Sequence, residues 1–101
     1  MGTRLELHDV LKDLMDDPHV YFQPPANVQM EYPCIVYKRD DEETIFADNN
    51  PYQRTKRYLV TVIDADPDSM IPDKVGALPL SRYIRNFVAK NLNHDVYVLY
   101  F

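Results

Sequence analysis

The chain has 101 residues, of which 46% are hydrophobic and 27% charged, and its 11 basic and 16 acidic side chains leave a formal net charge of −5. That length holds one domain with a single two-layer core and excludes a second, and the composition is that of a folded globular protein rather than a disordered or membrane one. The acidic balance excludes attraction to nucleic acid phosphate through bulk charge, and leaves room for a local basic patch.

Thr3 and Glu6 have the spacing of a capping box, and Leu7, Val10, Leu11, Leu14 and Met15 follow at helical intervals. The first element is therefore a helix with one apolar stripe, ended by Asp17 and Pro18. Val20-Tyr21-Phe22, bounded by Pro18 and Pro24-Pro25, reads as a brief edge strand. After a connector over 24–32, Pro33 to Lys38 reads as a strand. Within it Cys34, the only cysteine, can form no intrachain disulfide and is expected to behave as a small buried hydrophobe in a reducing compartment.

From Arg39 to Tyr52 the apolar pattern lapses into a run of acids, a short island at Thr44 to Ala47, and the turn-forming Asp48-Asn49-Asn50-Pro51. An excursion of this length in so small a domain reads as a protruding hairpin, acidic on one leg and basic, through Arg54, Lys56 and Arg57, on the other. Tyr58 to Ile63 is aromatic, β-branched or leucine throughout, the pattern of a central strand, and Pro67 ends it. Asp68 or Ser69 can cap a short second helix through Ile71, Val75 and Leu78. Leu80 to Val88 reads as a strand with Tyr83, Arg85 and Phe87 on one face, Asn91 to His94 as a turn, and Val96 to Phe101 as a last strand inside the sheet. The expected fold is α+β: an antiparallel sheet of about four strands plus a short edge strand, covered by an N-terminal helix and a second short helix, with the long protruding hairpin.

No catalytic constellation emerges. The Asp64, Asp66, Asp68 spacing opens like an EF-hand loop, but Ser69 and Val75 stand where the loop needs its glycine and its bidentate acid. His8, His19 and His94 fall in separate elements, and the two glycines, Gly2 and Gly76, cannot build a phosphate loop. Neither a metal nor a cofactor is expected. There is no apolar run of signal-peptide or membrane-spanning length, so the protein is expected to be made in the cytosol and to have no membrane partner. Eight tyrosines with no tryptophan suit either interface patches or the two faces of a sheet. Candidate contact residues are Asp41, Glu42, Glu43, Phe46, Asn49, Tyr52, Arg54, Lys56 and Arg57 in the excursion, with Arg82 and Arg85 further on; the alternative is that these charges pair locally.

Tyr32 to Tyr37, the run from Tyr58 to Ser69 with Asp-Pro-Asp-Ser at its end, Leu78-Pro79 and Asn91 to Asp95 together resemble small proteins of tailed-phage and prophage morphogenesis clusters: tail completion, tail terminator and head–tail joining proteins. The resemblance covers most of the chain, through short motifs in order. It implies a non-enzymatic subunit of the virion neck, made in the bacterial cytoplasm. It further implies a homo-hexameric ring that caps the tail tube, meets the head–tail connector or stopper protein, and lets DNA pass without sequence-specific binding. Two alternatives stand beside it: a head-completion or stopper protein of the same neck, and a small metal-dependent hydrolase using Asp64, Asp66 and His94.

Overall fold

A computed structural model describes residues 3–16, 18–25, 28–47 and 50–101, with 41–47 and 50–55 as backbone alone. Two helices and five strands follow in the order α1 (Arg4–Met15), β1 (Val20–Phe22), β2 (Cys34–Ala47), β3 (Asn50–Asp64), α2 (Ile71–Gly76), β4 (Ser81–Ala89) and β5 (Leu92–Tyr100). They form a small α+β domain whose single sheet has the strand order β1-β2-β3-β5-β4. β3 is central, as its unbroken apolar run predicts, and β5 lies inside the sheet between β3 and β4.

α1 begins with the expected capping box: Thr3 Oγ1 accepts from the Glu6 amide, and the Glu6 carboxylate accepts from the Thr3 amide, both at 3.2 Å. The helix stops at Asp16, whose left-handed backbone (φ 55°) accompanies an amide bonded back to Lys12 and Asp13. Leu7, Leu11 and Met15 form its buried stripe.

The sheet is mixed rather than antiparallel. β1 lies parallel to β2, with Val20 opposite Ile35 and Phe22 opposite Tyr37. The chain leaves β1 at one end and must return through 23–33 to the other before starting β2, so the two strands run the same way. β2 and β3 pair antiparallel from Cys34↔Ile63 to Ala47↔Asn50, with irregularities at 39/41 and 45/46, whereas β5 joins β3 only from Arg57↔Tyr100 to Asp64↔Asn93.

Further departures from the sequence expectation are local. The turn between β4 and β5 is the pair Lys90-Asn91, both left-handed (φ 53° and 63°), between Ala89 and its partner Leu92; it does not extend over Asn91 to His94. The strict alternation expected along β4 fails at Ile84, which bulges between Tyr83↔Tyr97 and Arg85↔Val96. Tyr83 therefore shares a face with Ser81, while Arg85 and Phe87 share the other with Arg82. α2 ends at Gly76, short of Leu78. Its N-cap is Met70, which makes no side-chain cap bond; Ser69 Oγ accepts from the Ile71 amide at 3.3 Å.

Both helices supply residues to one face of the sheet. There Leu7, Leu11, Met15 and Val75 pack on Ile35, Tyr37, Tyr58, Val60, Val62, Tyr97 and Leu99. Tyr97 also donates from its hydroxyl to the Pro72 carbonyl at 2.8 Å, which seats α2 on β5. The opposite face, carrying Val36, Leu59, Thr61, Val96 and Val98 by register, has no helix over it among the described residues.

Candidate interaction surface

β4 is the outermost strand, bonded to β5 alone among the described residues. A strand with one free edge should be polar, because its edge and at least one face meet water. β4 instead exposes large apolar side chains along most of its length: Tyr83 is 52% exposed, Ile84 41%, Phe87 38% and Val88 64%, and Leu80 just ahead of it 68%. Such a run on one edge is the composition of a contact strip rather than of a solvated strand.

The two arginines belong to this strip. Arg82 is opposite Val98 and Arg85 opposite Val96, so the bulge at Ile84 brings these cations, three apart in sequence, to one face of the sheet two ladder steps apart. Arg85 lies over the Phe87 ring, 5.2 Å from its centre, and Phe87 stacks on His94 at 4.6 Å with an angle of 14° between the rings. Neither arginine has an ion-pair partner among the described residues. Arg82 and Arg85 are thus candidates that the fold brings together. Their neighbours Tyr83, Ile84, Phe87 and Val88 are absent from the sequence-based set, although the presence of apolar side chains on both faces of 83–88 marks them.

The other candidates separate. Arg57 sits 2.9 Å from Asp40, a local ion pair, and Lys56 is half-buried with its carbonyl accepting from the Phe101 amide at 3.0 Å. Asp41, Glu42, Glu43 and Phe46 are placed by backbone on β2, and Tyr52 and Arg54 on β3; Asn49 lies outside the described residues. The 40s and 50s pair strand to strand, which is all that the structure shows of the long protruding hairpin expected there.

Asp64, Asp66 and His94, the residues of the hydrolase alternative, are not brought to one point. Asp64 Oδ1 accepts from the Asp66 amide, and Asp66 Oδ1 from the Asp68 amide, each at 2.9 Å, so the aspartates fold back on their own loop as successive turns. Asp64 pairs with Asn93, and His94 with Ile63, which puts Asp64 and His94 on opposite faces of the sheet. His94 Nδ1 lies 3.0 Å from the Leu92 carbonyl. Cys34 is fully buried, and burial, reinforced by the nearby Asp64 charge, pushes its thiol up to about 12, away from the range of a nucleophile. No group of three or more ligating side chains is assembled among the described residues.

Between α2 with the loop before it and the strands β4 and β5 lies an open groove of about 830 Å3, bordered by Asp68, Asp73, Asp95, Tyr83 and Tyr97. Asp95 is engaged there by Asn86 Nδ2 at 2.9 Å. Burial, then the charges of Asp95 and its neighbours, push the Tyr97 hydroxyl up to about 12. The groove is acidic, the opposite sheet face at β4 basic, so the edge of the molecule is electrically two-sided. No helix among the described residues is long and apolar enough to cross a membrane. Searches of protein families, of curated proteins and of solved structures found none that matches this chain.

Proposed function

We propose that the chain is a structural subunit of the tailed-phage neck, assembling with copies of itself into a ring that caps the tail tube and joins the tail to the head connector. The observation that carries this reading is β4, an outer strand whose apolar and arginine side chains are turned to solvent along most of its length. A ring subunit needs two unlike surfaces that meet around a closed axis. β4 supplies one. The β2–β3 pair beyond Arg57, where β5 no longer accompanies it, supplies a second; in this reading it projects as an arm toward a neighbouring copy or the tube. The resemblance in the Tyr32–Tyr37, Tyr58–Ser69 and Asn91–Asp95 runs supplies the setting.

The test is an early stop codon in this gene in the parent phage or prophage, with the lysate imaged by negative-stain electron microscopy. Tails of irregular, excessive length beside tailless full heads are the expected result. Normal tails lying free beside full heads move the protein to the joining step, and leaking or empty heads move it to the stopper position. Intact infectious particles overturn the neck reading.

A further inference from the structure

The sheet has two open edges of opposite charge, and their geometry matches. On one side β4, Ser81–Ala89, contains two arginines and no acid, and Lys90 follows it. On the other side β1 covers β2 only from Ile35 to Tyr37. Gln23 ends that coverage: its amide donates to the Tyr37 carbonyl at 3.0 Å, and its side-chain oxygen accepts from the Arg39 amide at 3.1 Å. From Asp40 to Ala47 the outer edge of β2 has no strand partner among the described residues, and that stretch opens with Asp40-Asp41-Glu42-Glu43.

Strand sense, spacing and face then agree. β2, β3, β5 and β4 are each antiparallel to the next, so β4 runs opposite to β2. If the sheet of one copy continues into the next with the same side outward, β4 meets the neighbour's β2 antiparallel, the more stable pairing. The bulge at Ile84 sets Arg82 and Arg85 two ladder steps apart. Positions 41 and 43 are two apart on β2, opposite 57 and 55. Those positions share the alternation of Leu59, whose partner Val98 is itself opposite Arg82. One register therefore places Arg82 against position 43 and Arg85 against position 41 on the same sheet face. Opposite charges directly across a ladder stabilise the pairing and like charges oppose it, which disfavours β4 against β4, arginine facing arginine.

From this we infer that the outer edge of β4 in one copy pairs antiparallel with the 40–47 edge of β2 in the next, so that the sheets join into one continuous belt of copies. The pairing stands on the strand geometry; its closure into a ring rests on the neck reading above. Each copy gives one edge and receives the other, so the contact is heterologous; it covers the open edges of β4 and of β2 beyond Arg39 and leaves only the outer side of the three-residue β1 outside it.

Charge reversal tests it on the purified full chain by sedimentation velocity, with circular dichroism confirming the fold of each variant. Wild type is expected to sediment as an oligomer, whereas Arg82→Glu/Arg85→Glu and Asp41→Lys/Glu43→Lys are each expected to sediment as monomers. An equimolar mixture of the two variants should reassemble, because every junction then pairs opposite charges again. Oxidation of mixed Arg85→Cys and Asp41→Cys chains should give an intermolecular disulfide, a readout that does not depend on the reversed variants folding. A wild type that stays monomeric, a variant that assembles alone as wild type does, or a folded mixture that stays monomeric overturns the inference; so does absence of the cross-link. Charge-insensitive wild-type assembly removes the edge pairing and leaves the lysate phenotype to decide the neck role. Intact particles in the lysate with the charge rescue observed remove the neck role and leave the pairing standing.

Discussion

Tyr37 and Tyr58 are both fully buried at the centre of the core, 6.1 Å apart edge to face, but their hydroxyls differ. The Tyr37 hydroxyl lies 2.7 Å from His8 Nδ1 and accepts from Arg4 Nη1 at 3.5 Å, whereas the Tyr58 hydroxyl is buried with no hydrogen-bond partner among the described residues. A buried polar group without a partner costs stability that a matched apolar group does not. Tyr58→Phe is therefore expected to raise the unfolding free energy by about 1 kcal/mol in urea titration, and Tyr37→Phe to lower it by about 1 kcal/mol. His8 adds a pH dependence. Burial and then the charges of Lys12 and Arg4, opposed by Asp9, hold its pKa below the ordinary 6.5. The neutral ring is thus the folded form, and below about pH 6.5 the unfolded chain takes up a proton that the folded chain resists. This contribution to stability is complete above that pH and is lost as pH falls from it through the folded-state value. Comparing urea midpoints at about pH 7.5 and about pH 5.5, His8→Gln should show a shallower loss than wild type.

Elements were legible where a local signal fixes them and obscure where the path of the chain does. The capping box of Thr3 and Glu6, the stripe of Leu7 and Leu11, and the unbroken Tyr58–Ile63 run each mark their structure within a few residues, and α1 and β3 follow them. The direction of β1 has no local marker: Val20-Tyr21-Phe22 pairs equally well either way, and the return through 23–33 decides. Nor does a glycine announce the bulge at Ile84; the one local trace is that the apolar pair Tyr83-Ile84 runs straight into the polar pair Arg85-Asn86, which breaks a strict alternation there. The β4–β5 turn misled for a related reason. Asn91 and Asn93 look like the turn, yet the tight two-residue connection holds Lys90 as well as Asn91 left-handed, and lysine is a poor choice for that geometry. Lys90→Asn combined with Asn91→Gly is expected to raise stability by about 1 kcal/mol, read as an upward shift of the thermal midpoint.

At the scale of the molecule, the buried stripe of α1 was readable from periodicity, whereas the unbroken apolar run of β3 does not say which of its faces α1 and α2 cover. The candidate surface was readable only in part. Arg82 and Arg85 were marked by charge, but their alignment on one face depends on the bulge, and the exposure of the apolar side chains around them depends on the place of β4 at the rim. Burial of Cys34 on the opposite strand carries one more consequence. A thiol pushed up to about 12 and closed off from solvent is silent to alkylating reagents while β2 and β3 remain paired. Native protein should resist iodoacetamide and become labelled at the rate of global opening, so mass spectrometry of the alkylated fraction counts unfolding events. The same silence means that a single cysteine placed at the rim can carry a fluorophore or spin probe without a competing native signal.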